Sequence, residues 1–309
     1  MAPGTPTPQL TWIVVAHDSA GDLVTLLPSL RAAVDGWRER GFSAEVIVVD
    51  NASTDGSADL AETEVRDDPA ASWLRVRRLA HNSGFGAALN LIAAEARSPW
   101  LAFSNADVEV PAGGLALLPT VLAAADPDVA LLGPAILAPT GALESSVGRF
   151  PTLARLVAGR RRPRADRGRL PAEEQAAGDV EWLTGACLFA RREAFAELGG
   201  FDERFFLYYE DVDLAARVRA AGHRVVYEPA LRLVHTAPHH RRPVGAGVER
   251  IIRESRGAYF RKHRPRWEAS LVEMLGGWEE RRRVRDAPDV AEDAGTANAR
   301  EADAEHHAS

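Results

Sequence analysis

Three carboxylates stand close together in the second half of the chain, where they could supply acid–base chemistry. Glu210, Asp211 and Asp213 follow the apolar run Phe205–Tyr209, and later apolar residues at a spacing of four predict a helix that begins near Glu210. The helix dipole and an i,i+4 pair with Arg217 account for Asp213. They account less well for the other two, because the apolar run should bury the start of this helix. A semi-buried carboxylate beside like charges has a raised pKa and suits a general base for a hydroxyl.

A second pair of chemically useful residues lies at the ends of predicted strands. Asp107 follows the strand Trp100–Ser104, and His235 ends the strand Leu231–His235. A carboxylate and an imidazole that converge on one sheet edge could hold a divalent ion, with diphosphate oxygens completing the shell of Mg²⁺ or Mn²⁺. Taken alone, His235 has a simpler explanation as an edge histidine whose hydrogen bonds are satisfied.

The elements that must position these residues follow a βαβ rhythm. Short β-branched runs separated by helix-length segments predict strands at Leu10–Ala16, Glu45–Asp50, Leu74–Leu79 and Trp100–Ser104. This pattern predicts an α/β fold with a mostly parallel central sheet flanked by helices. Polar residues follow each of the four strands, at the edge where open α/β sheets bind ligands. They are His17-Asp18, Asp50-Asn51, His81-Asn82 and Asn105 to Asp107.

The common phosphate-binding and nucleophile motifs are absent from the sequence. The first strand runs into His17–Gly21 without a Gly-x-Gly-x-x-Gly pattern, and no Walker loop occurs. This argues against a dinucleotide-binding protein. It also argues against a nucleotidyltransferase, which usually carries a basic, glycine-rich loop at this point. The single cysteine, Cys187, lies in an apolar run and is predicted to be a buried hydrophobic residue rather than a nucleophile.

Five motifs, taken in order, resemble family 2 glycosyltransferases of the GT-A fold. They are Val48–Ser57, Asn82–Gly86 with Asn90, Asn105–Asp107, Gly199–Glu203 and Tyr209–Leu214. The resemblance spans about residues 10–236 and is closest to bacterial rhamnosyltransferases that act on polyprenyl-diphosphate-linked sugars. It implies an inverting, metal-dependent transfer of a sugar, rhamnose from dTDP-rhamnose in that branch, to a hydroxyl of a glycan or lipid-linked acceptor in cell-envelope polysaccharide synthesis. The alternative is a non-catalytic scaffold that binds a nucleotide-sugar or glycan with the same fold.

The resemblance also implies roles for individual residues. Asp211 matches the catalytic base, with Glu210 supporting it. Asp107 matches the last carboxylate of the Asp-x-Asp metal motif, and His235 matches a histidine that completes the shell of Mg²⁺ or Mn²⁺. The residues implied to bind the nucleotide-sugar are His17, Asp18, Asp50, Ser53, Asn82, Gly84, Phe85, Asn90 and Asn105. Those implied for the acceptor side are Trp182, Tyr208 and Tyr209.

Charge divides the chain into segments of different character. The 309 residues carry a net charge of −7, which argues against a nucleic-acid partner. Residues 155–169 nevertheless hold seven arginines against one aspartate, and residues 286–309 hold seven acids against one arginine. The basic stretch is either a solvated linker or a landing surface for phosphate or anionic lipid headgroups.

We therefore expect an N-terminal tail (1–9), a catalytic domain (10–245), a helical extension (246–285) and an acidic disordered tail (286–309). Within the catalytic domain, residues 10–140 form the nucleotide-sugar half, 155–169 a basic loop, and 180–245 the acceptor and base half.

We expect the protein to be cytoplasmic. The N-terminus lacks the basic and apolar regions of a signal peptide, and the least polar stretch, Val110–Ala125, is too short and interrupted to span a bilayer. Residues 248–262 predict an amphipathic helix flanked by Arg and Lys. This helix either packs on the catalytic domain or touches the inner face of the plasma membrane, where a lipid-linked acceptor would lie.

Overall fold

The computed structural model describes residues 7–67, 73–158, 170–236 and 246–286. Its strands in chain order are β1 (Leu10–Ala16), β2 (Ala44–Asp50), β3 (Leu74–Arg78), β4 (Trp100–Asn105), β5 (Val108–Glu109), β6 (Val129–Leu137), β7 (Val147–Gly148), β8 (Gly178–Asp179), β9 (Trp182–Leu183), β10 (Cys187–Arg191) and β11 (Arg224–His235). Its helices are α1 (Ala20–Arg38), α2 (Ser57–Asp67), α3 (Phe85–Glu95), α4 (Leu118–Ala124), α5 (Leu153–Ala158), α6 (Arg192–Glu197), α7 (Glu210–Ala220), α8 (Ala246–His263) and α9 (Arg266–Asp286).

The central sheet confirms the predicted α/β class. Its strands follow the order β3-β2-β1-β4-β10-β6-β11-β5, with β8 paired to β11. The four strands of the first half are parallel, as the βαβ rhythm predicts, and their carboxyl ends meet at one edge. β10 runs antiparallel between β4 and β6, and so joins the second half of the chain to the first.

Two details of the second half differ from the sequence-based expectation. The strand predicted at Leu231–His235 forms the end of the longer strand β11, whose register shifts between Glu228 and Arg232. Pro229 lies in this interval and has no N–H to donate to a ladder, which explains the break in pairing. No strand was predicted at β6 or β10, because short apolar runs do not distinguish a strand from a buried helix.

Apolar layers cover both faces of the sheet. Alternate residues of β1 point to opposite sides, so that Ile13 packs in the layer of α3 and α6, whereas Trp12 packs in the layer of α1. Every residue of β1 is buried, which is typical of a parallel strand covered by helices on both sides. The sheet edge that carries the polar loops is therefore held on a rigid scaffold.

The helix predicted at residues 248–262 is confirmed as α8, and it is fastened to the start of α7 through one buried carboxylate. The Asp213 side chain is fully buried, and its Oδ2 accepts a hydrogen bond of 2.8 Å from Nε of Arg217. Its Oδ1 lies 2.6 Å from both Nζ of Lys262 and Nε2 of His263, which belong to α8. Lys262 also lies 2.6 Å from Oδ2 of Asp202.

The pKa of Asp213 reflects this environment. Burial opposes ionisation, but the hydrogen bonds from His263 and Lys262 and the charge of Arg217 outweigh it, so the pKa lies below its ordinary value. A lowered carboxyl pKa stabilises the folded state above the ordinary pKa, and that contribution is lost as pH falls through the lowered value.

We predict that Asp213→Asn lowers the free energy of unfolding by about 3 kcal/mol, because it leaves partly buried cations without their counter-charge. Urea denaturation at neutral pH measures this loss. The difference between the two proteins should shrink as pH falls from the ordinary aspartate pKa through the lowered pKa of folded Asp213, because the wild-type carboxylate becomes protonated over that range.

A matched control is Asp59→Asn, which removes one partner of Arg78 on the surface of α2. The Asp59 side chain is 77% exposed, so its removal should leave the urea midpoint unchanged. Equal effects of the two substitutions would show that the buried network contributes no special stability.

Candidate active site

The loops after β1 and β2 are tied together at the carboxyl edge of the sheet. Oδ1 of Asp18 accepts hydrogen bonds from the Thr54 backbone N–H at 2.7 Å and from its hydroxyl at 3.2 Å, while the Asp18 N–H donates to Oγ of Ser53 at 3.0 Å. Nδ1 of His17 lies 3.0 Å from the carbonyl oxygen of Asn51. The side chains of His17 and Asp18 remain exposed to a ligand.

Asn51 connects this pair of loops to the loop before α3. Its Nδ2 donates to Oδ1 of Asn82 at 3.0 Å and to the carbonyl of Gly84 at 3.2 Å. Asp50, at the end of β2, is buried and accepts a bond of 3.3 Å from the Ser53 N–H. Asn51 was not among the predicted site residues, although its place directly after Asp50 in the motif could have indicated it.

The start of α3 holds the loop that precedes α7. Gly84 has φ +88°, and a Cβ at this position would lie 2.5 Å from the carbonyl oxygen of Phe206, so only glycine fits. The Phe85 N–H donates to that same oxygen at 2.9 Å. The Asn90 amide exchanges two hydrogen bonds of 2.8 Å with the backbone of Phe201. Phe85 and Asn90 therefore position the loop that leads to α7.

The turn before α7 has an unusual backbone. Tyr208 and Tyr209 both lie in the left-handed region, with φ 68° and 70°, which costs energy for non-glycine residues. The surrounding packing holds them there. The Tyr209 ring lies 5.6 Å from that of Tyr259 in α8, and the Ser255 hydroxyl donates to the carbonyl of Leu207 at 2.9 Å.

Glu210 and Asp211 occupy different environments although they are neighbours. Asp211 is half-buried, and its Oδ2 accepts a hydrogen bond of 2.8 Å from the N–H of Gly185. Glu210 is buried, and within the described ranges its Oε2 has no hydrogen-bond partner. Burial and the nearby charge of Asp211 raise the pKa of Glu210 well above its usual range, as the sequence predicted. Asp211, the more accessible of the two, is the better placed to receive a proton.

Asp107 and His235 converge as predicted. Oδ1 of Asp107 lies 3.0 Å from Nε2 of His235, and both side chains are about nine-tenths buried. The N–H of Thr236 donates to the Asp107 carbonyl at 2.9 Å, which fixes the end of β11 beside the turn after β4. The Asn105 N–H donates to the Ala186 carbonyl at 3.2 Å, and this places the same turn next to the segment that binds Asp211.

The donor set at this position fits Mg²⁺ or Mn²⁺. The described parts of the chain contain no cluster of three or more His, Cys, Asp or Glu side chains that could hold a metal. One carboxylate and one imidazole leave most coordination positions to water and phosphate oxygens, which is the usual mode of Mg²⁺ binding with nucleotide substrates.

The residues predicted for the acceptor side have fewer direct links to the candidate site. Trp182 in β9 is buried, and its indole N–H donates to the carbonyl of Arg149 at 3.0 Å, so it can affect an acceptor only through the packing of β9. Tyr208 and Tyr209 are half-buried.

Of the basic stretch 155–169, only residues 155–158 are described, and the acidic segment beyond residue 286 lies outside the described ranges. In those ranges no helix has the length and apolar character needed to cross a bilayer.

Comparison with known proteins identifies the family of this chain. Residues 11–198 match the model of glycosyl transferase family 2. The N-acetylglucosaminyl-diphospho-decaprenol L-rhamnosyltransferase of Mycobacterium tuberculosis is 34% identical over 252 residues, which cover 75% of this chain and 78% of that protein.

Two solved structures share the fold. A mannosyltransferase of Pyrobaculum calidifontis in complex with GDP-Man and Mn²⁺ gives a TM-score of 0.58 at 21% identity, over 97% of this chain and 81% of that one. Residues 1–349 of TarS from S. aureus, in complex with UDP-GlcNAc, give a TM-score of 0.57 at 16% identity, over 86% of this chain and 70% of that one. These similarities confirm the GT-A fold, and the family match extends over more than half of the sequence. The chain belongs to glycosyl transferase family 2.

Proposed function

We propose that this glycosyltransferase moves rhamnose from dTDP-rhamnose to a hydroxyl of N-acetylglucosamine carried on a polyprenyl diphosphate, in the synthesis of a cell-envelope polysaccharide. The observation that carries the transfer chemistry is the Asp211 carboxylate, held by the Gly185 N–H at the sheet edge where Asp107 and His235 converge. The acceptor class is supported by the name of the mycobacterial relative. The donor is supported by the resemblance of the five motifs to rhamnosyltransferases.

We assign donor binding to the loops at the carboxyl edge of the parallel strands. The exposed side chains of His17 and Asp18 offer polar contacts to the base and ribose, with Asp50 and Asn105 at the ends of β2 and β4 and Ser53 on the loop after β2. Asn82, Gly84, Phe85 and Asn90 support this pocket from the side of α3. In this assignment residues 10–140 form the donor half and residues 180–245 form the base and acceptor half of one catalytic domain, followed by the helical extension 246–285.

The proposed reaction is a single in-line displacement with inversion at the anomeric carbon. Asp211 accepts the proton of the acceptor hydroxyl as its oxygen attacks the sugar, and the nucleoside diphosphate leaves from the opposite side. The Gly185 N–H holds the carboxylate in place. The raised pKa of Glu210 keeps a second negative charge away from the base. No covalent intermediate is required.

Asp107 and His235 are the residues that would hold Mg²⁺ or Mn²⁺. Such an ion, when bound, would neutralise the charge that develops on the leaving diphosphate. Both side chains are shielded from bulk water, which strengthens their attraction for a cation.

The acceptor should approach beside the tyrosine turn. Tyr208 and Tyr209 directly precede the base, and a cavity of about 420 Å³ opens between the loop at Phe206 and α8. Its walls combine the apolar side chains of Phe206, Ile251 and Ala258 with charged and polar ones, among them Glu254 and Arg261. The acceptor would come from the inner face of the plasma membrane and the donor from the cytoplasm.

The function is tested by measuring nucleoside-diphosphate release with a panel of donors and a short-chain polyprenyl-diphosphate N-acetylglucosamine acceptor. We expect turnover with dTDP-rhamnose, and lower turnover with UDP- and GDP-sugars. If turnover occurred only with a different donor, the transferred sugar would not be rhamnose. Binding of donors without any turnover would favour the non-catalytic scaffold.

We predict that Asp211→Asn lowers kcat by about 10²- to 10⁴-fold, because the amide cannot accept the hydroxyl proton. Nucleotide-sugar affinity, measured by calorimetry, should stay close to that of the wild type, since Asp211 acts on the acceptor. The control is Glu197→Gln, which removes an exposed carboxylate of α6 and should leave both quantities unchanged. Substantial turnover by the Asp211 variant would disprove the assignment of the base.

We also predict that transfer is suppressed by EDTA and restored by Mn²⁺ or Mg²⁺. Asp107→Asn should raise the metal concentration needed for half-maximal activity by about 10- to 100-fold, because one of two protein ligands is lost. Glu109→Gln, on the neighbouring strand β5, is the control and should not change this concentration. Full activity in the presence of chelator would refute the metal role of Asp107 and His235.

A further inference from the structure

One phenylalanine differs from all the others in its contact with solvent. The ten phenylalanines of the chain all lie within the described ranges, and Phe206 is the only one that is exposed. Its exposed fraction is 41%, whereas that of the preceding residue, Phe205, is 1%. The Phe206 ring is therefore available to a ligand.

The loop that presents this ring is held on both sides. The Phe206 carbonyl accepts a hydrogen bond of 2.9 Å from the Phe85 N–H at the start of α3. A Cβ on Gly84 would lie 2.9 Å from Cδ2 of the Phe206 ring, so one edge of the ring rests on the Gly84 backbone. On the other side, the Ser255 hydroxyl of α8 donates to the carbonyl of Leu207 at 2.9 Å. The ring is thus presented in a fixed position, which lowers the entropic cost of binding a ligand.

The ring also lies beside the turn that carries the proposed base. Phe206 contacts the first turn of α3 at Gly84. Glu210 contacts the same turn at Gly86, where a Cβ would lie 3.8 Å from the Glu210 Cβ. Both ends of the segment from Phe206 to Glu210 therefore rest on one turn of helix, and Asp211 follows directly. A ligand on the ring would be a neighbour of this base.

The Phe206 ring forms part of the wall of the cavity of about 420 Å³ between this loop and α8. Ile251 and Ala258 add apolar surface from α8. The volume falls in the range of about 300–1,000 Å³ that is usual for small-ligand sites. The other side chains of the wall are polar or charged, namely Arg204, Glu254, Ser255, Arg261 and Lys262. An aromatic face therefore shares the cavity with groups that can exchange hydrogen bonds.

The two cations nearest the loop already have carboxylate partners. Nη2 of Arg204 lies 2.5 Å and Nζ of Lys262 lies 2.6 Å from Oδ2 of Asp202. Lys262 is also 2.6 Å from Oδ1 of Asp213. Asp202 engages Nε and Nη2 of Arg204, so that Nη1 can donate to a ligand. These cations offer hydrogen-bond donors whose charge is matched by carboxylates.

The charged groups on the α8 side are matched in the same way. Arg261 pairs with Glu273 of α9. Oε1 of Glu254 lies 3.1 Å from Nη1 of Arg250. A diphosphate carries several negative charges and is bound best by cations without such partners. A neutral sugar instead needs donors and acceptors for its hydroxyls and an aromatic face for its C–H groups, and this wall supplies all three.

We propose that this cavity binds the sugar ring of the acceptor and that Phe206 is the platform on which the ring lies. One face of the pyranose packs on the Phe206 ring, and Arg204 and Glu254 exchange hydrogen bonds with its hydroxyls. The cavity selects the acceptor by its sugar, while the diphosphate and the lipid extend beyond it. This inference rests on the proposed function, which supplies N-acetylglucosamine as the acceptor sugar.

Variants of Phe206 test this role through the kinetics of transfer to the short-chain acceptor. Phe206→Ala should raise the acceptor KM by about tenfold, the loss expected for one aromatic contact. The value of kcat and the Kd for dTDP-rhamnose should change little, because the ring contacts the acceptor alone. Phe206→Tyr should restore the wild-type KM, whereas Phe206→Leu should not, since leucine is apolar but has no ring face. The control is Leu91→Ala, which truncates a 39% exposed residue of α3 and should behave like the wild type.

Binding in the absence of donor separates this inference from the proposed function. The probes are octyl N-acetylglucosaminide and octyl diphosphate, each followed by saturation-transfer NMR with the full chain. We expect the glycoside to bind the wild type and to lose most of its signal with Phe206→Ala, while circular dichroism shows that the variant is folded.

Failure of the glycoside to bind the wild type, or Phe206-dependent binding of octyl diphosphate in its place, would overturn the proposal. Glycoside binding that depends on Phe206, without any transfer, would contradict the proposed function and leave the sugar site standing. Transfer with an acceptor KM that Phe206→Ala leaves unchanged would support the function and refute the sugar site.

Discussion

The buried carboxylate of Asp213 is the interaction on which the catalytic half of this protein depends. It lies in the first turn of α7, and its ionised form is stable there only because Arg217, Lys262 and His263 surround it. Two of these partners come from α8. The helical extension is thus a structural part of this turn, since without it Asp213 would keep only Arg217 of α7 as a counter-charge. Arg217 extends the network by donating to the carbonyls of Leu198 and Gly200, ahead of the tyrosine turn.

One turn of helix therefore holds three carboxylates in three electrostatic states. Asp213 is kept ionised by its cations, and its pKa is lowered. Glu210 is buried without a hydrogen-bond partner for Oε2 among the described residues, and its pKa is raised. Asp211 lies between them in sequence, half-buried and held by a backbone N–H. The same functional group becomes a structural anchor, a neighbour with a raised pKa and a candidate base because burial and partners differ at each position.

The parts of this structure that could be predicted from sequence are those encoded by local patterns. The four parallel strands, the start of α7 and the polar carboxyl edge all follow from periodicity and from residues that end strands. The convergence of Asp107 with His235 was predictable because both end strands of one sheet. The role of Asn51 as a connector of loops, the left-handed tyrosines and the exposed ring of Phe206 depend on contacts between distant segments. The antiparallel insertion of β10 was also missed, since four apolar residues followed by an arginine carry no signal of strand direction.

The contacts of α8 have a consequence for the order in which the protein becomes active during its synthesis. The parallel strands β1 to β4 are complete once residue 105 has left the ribosome, and their pairings are among neighbouring segments. The turn at Tyr208 and Tyr209 is held by Ser255 and Tyr259, and Asp213 by residues 262 and 263, so this turn cannot reach its final form until α8 has emerged. A nascent chain can therefore assemble the polar edge of the parallel strands long before the turn that precedes Asp211 is held in place. The turn that carries Asp211 therefore reaches its final form only after α8 has been translated.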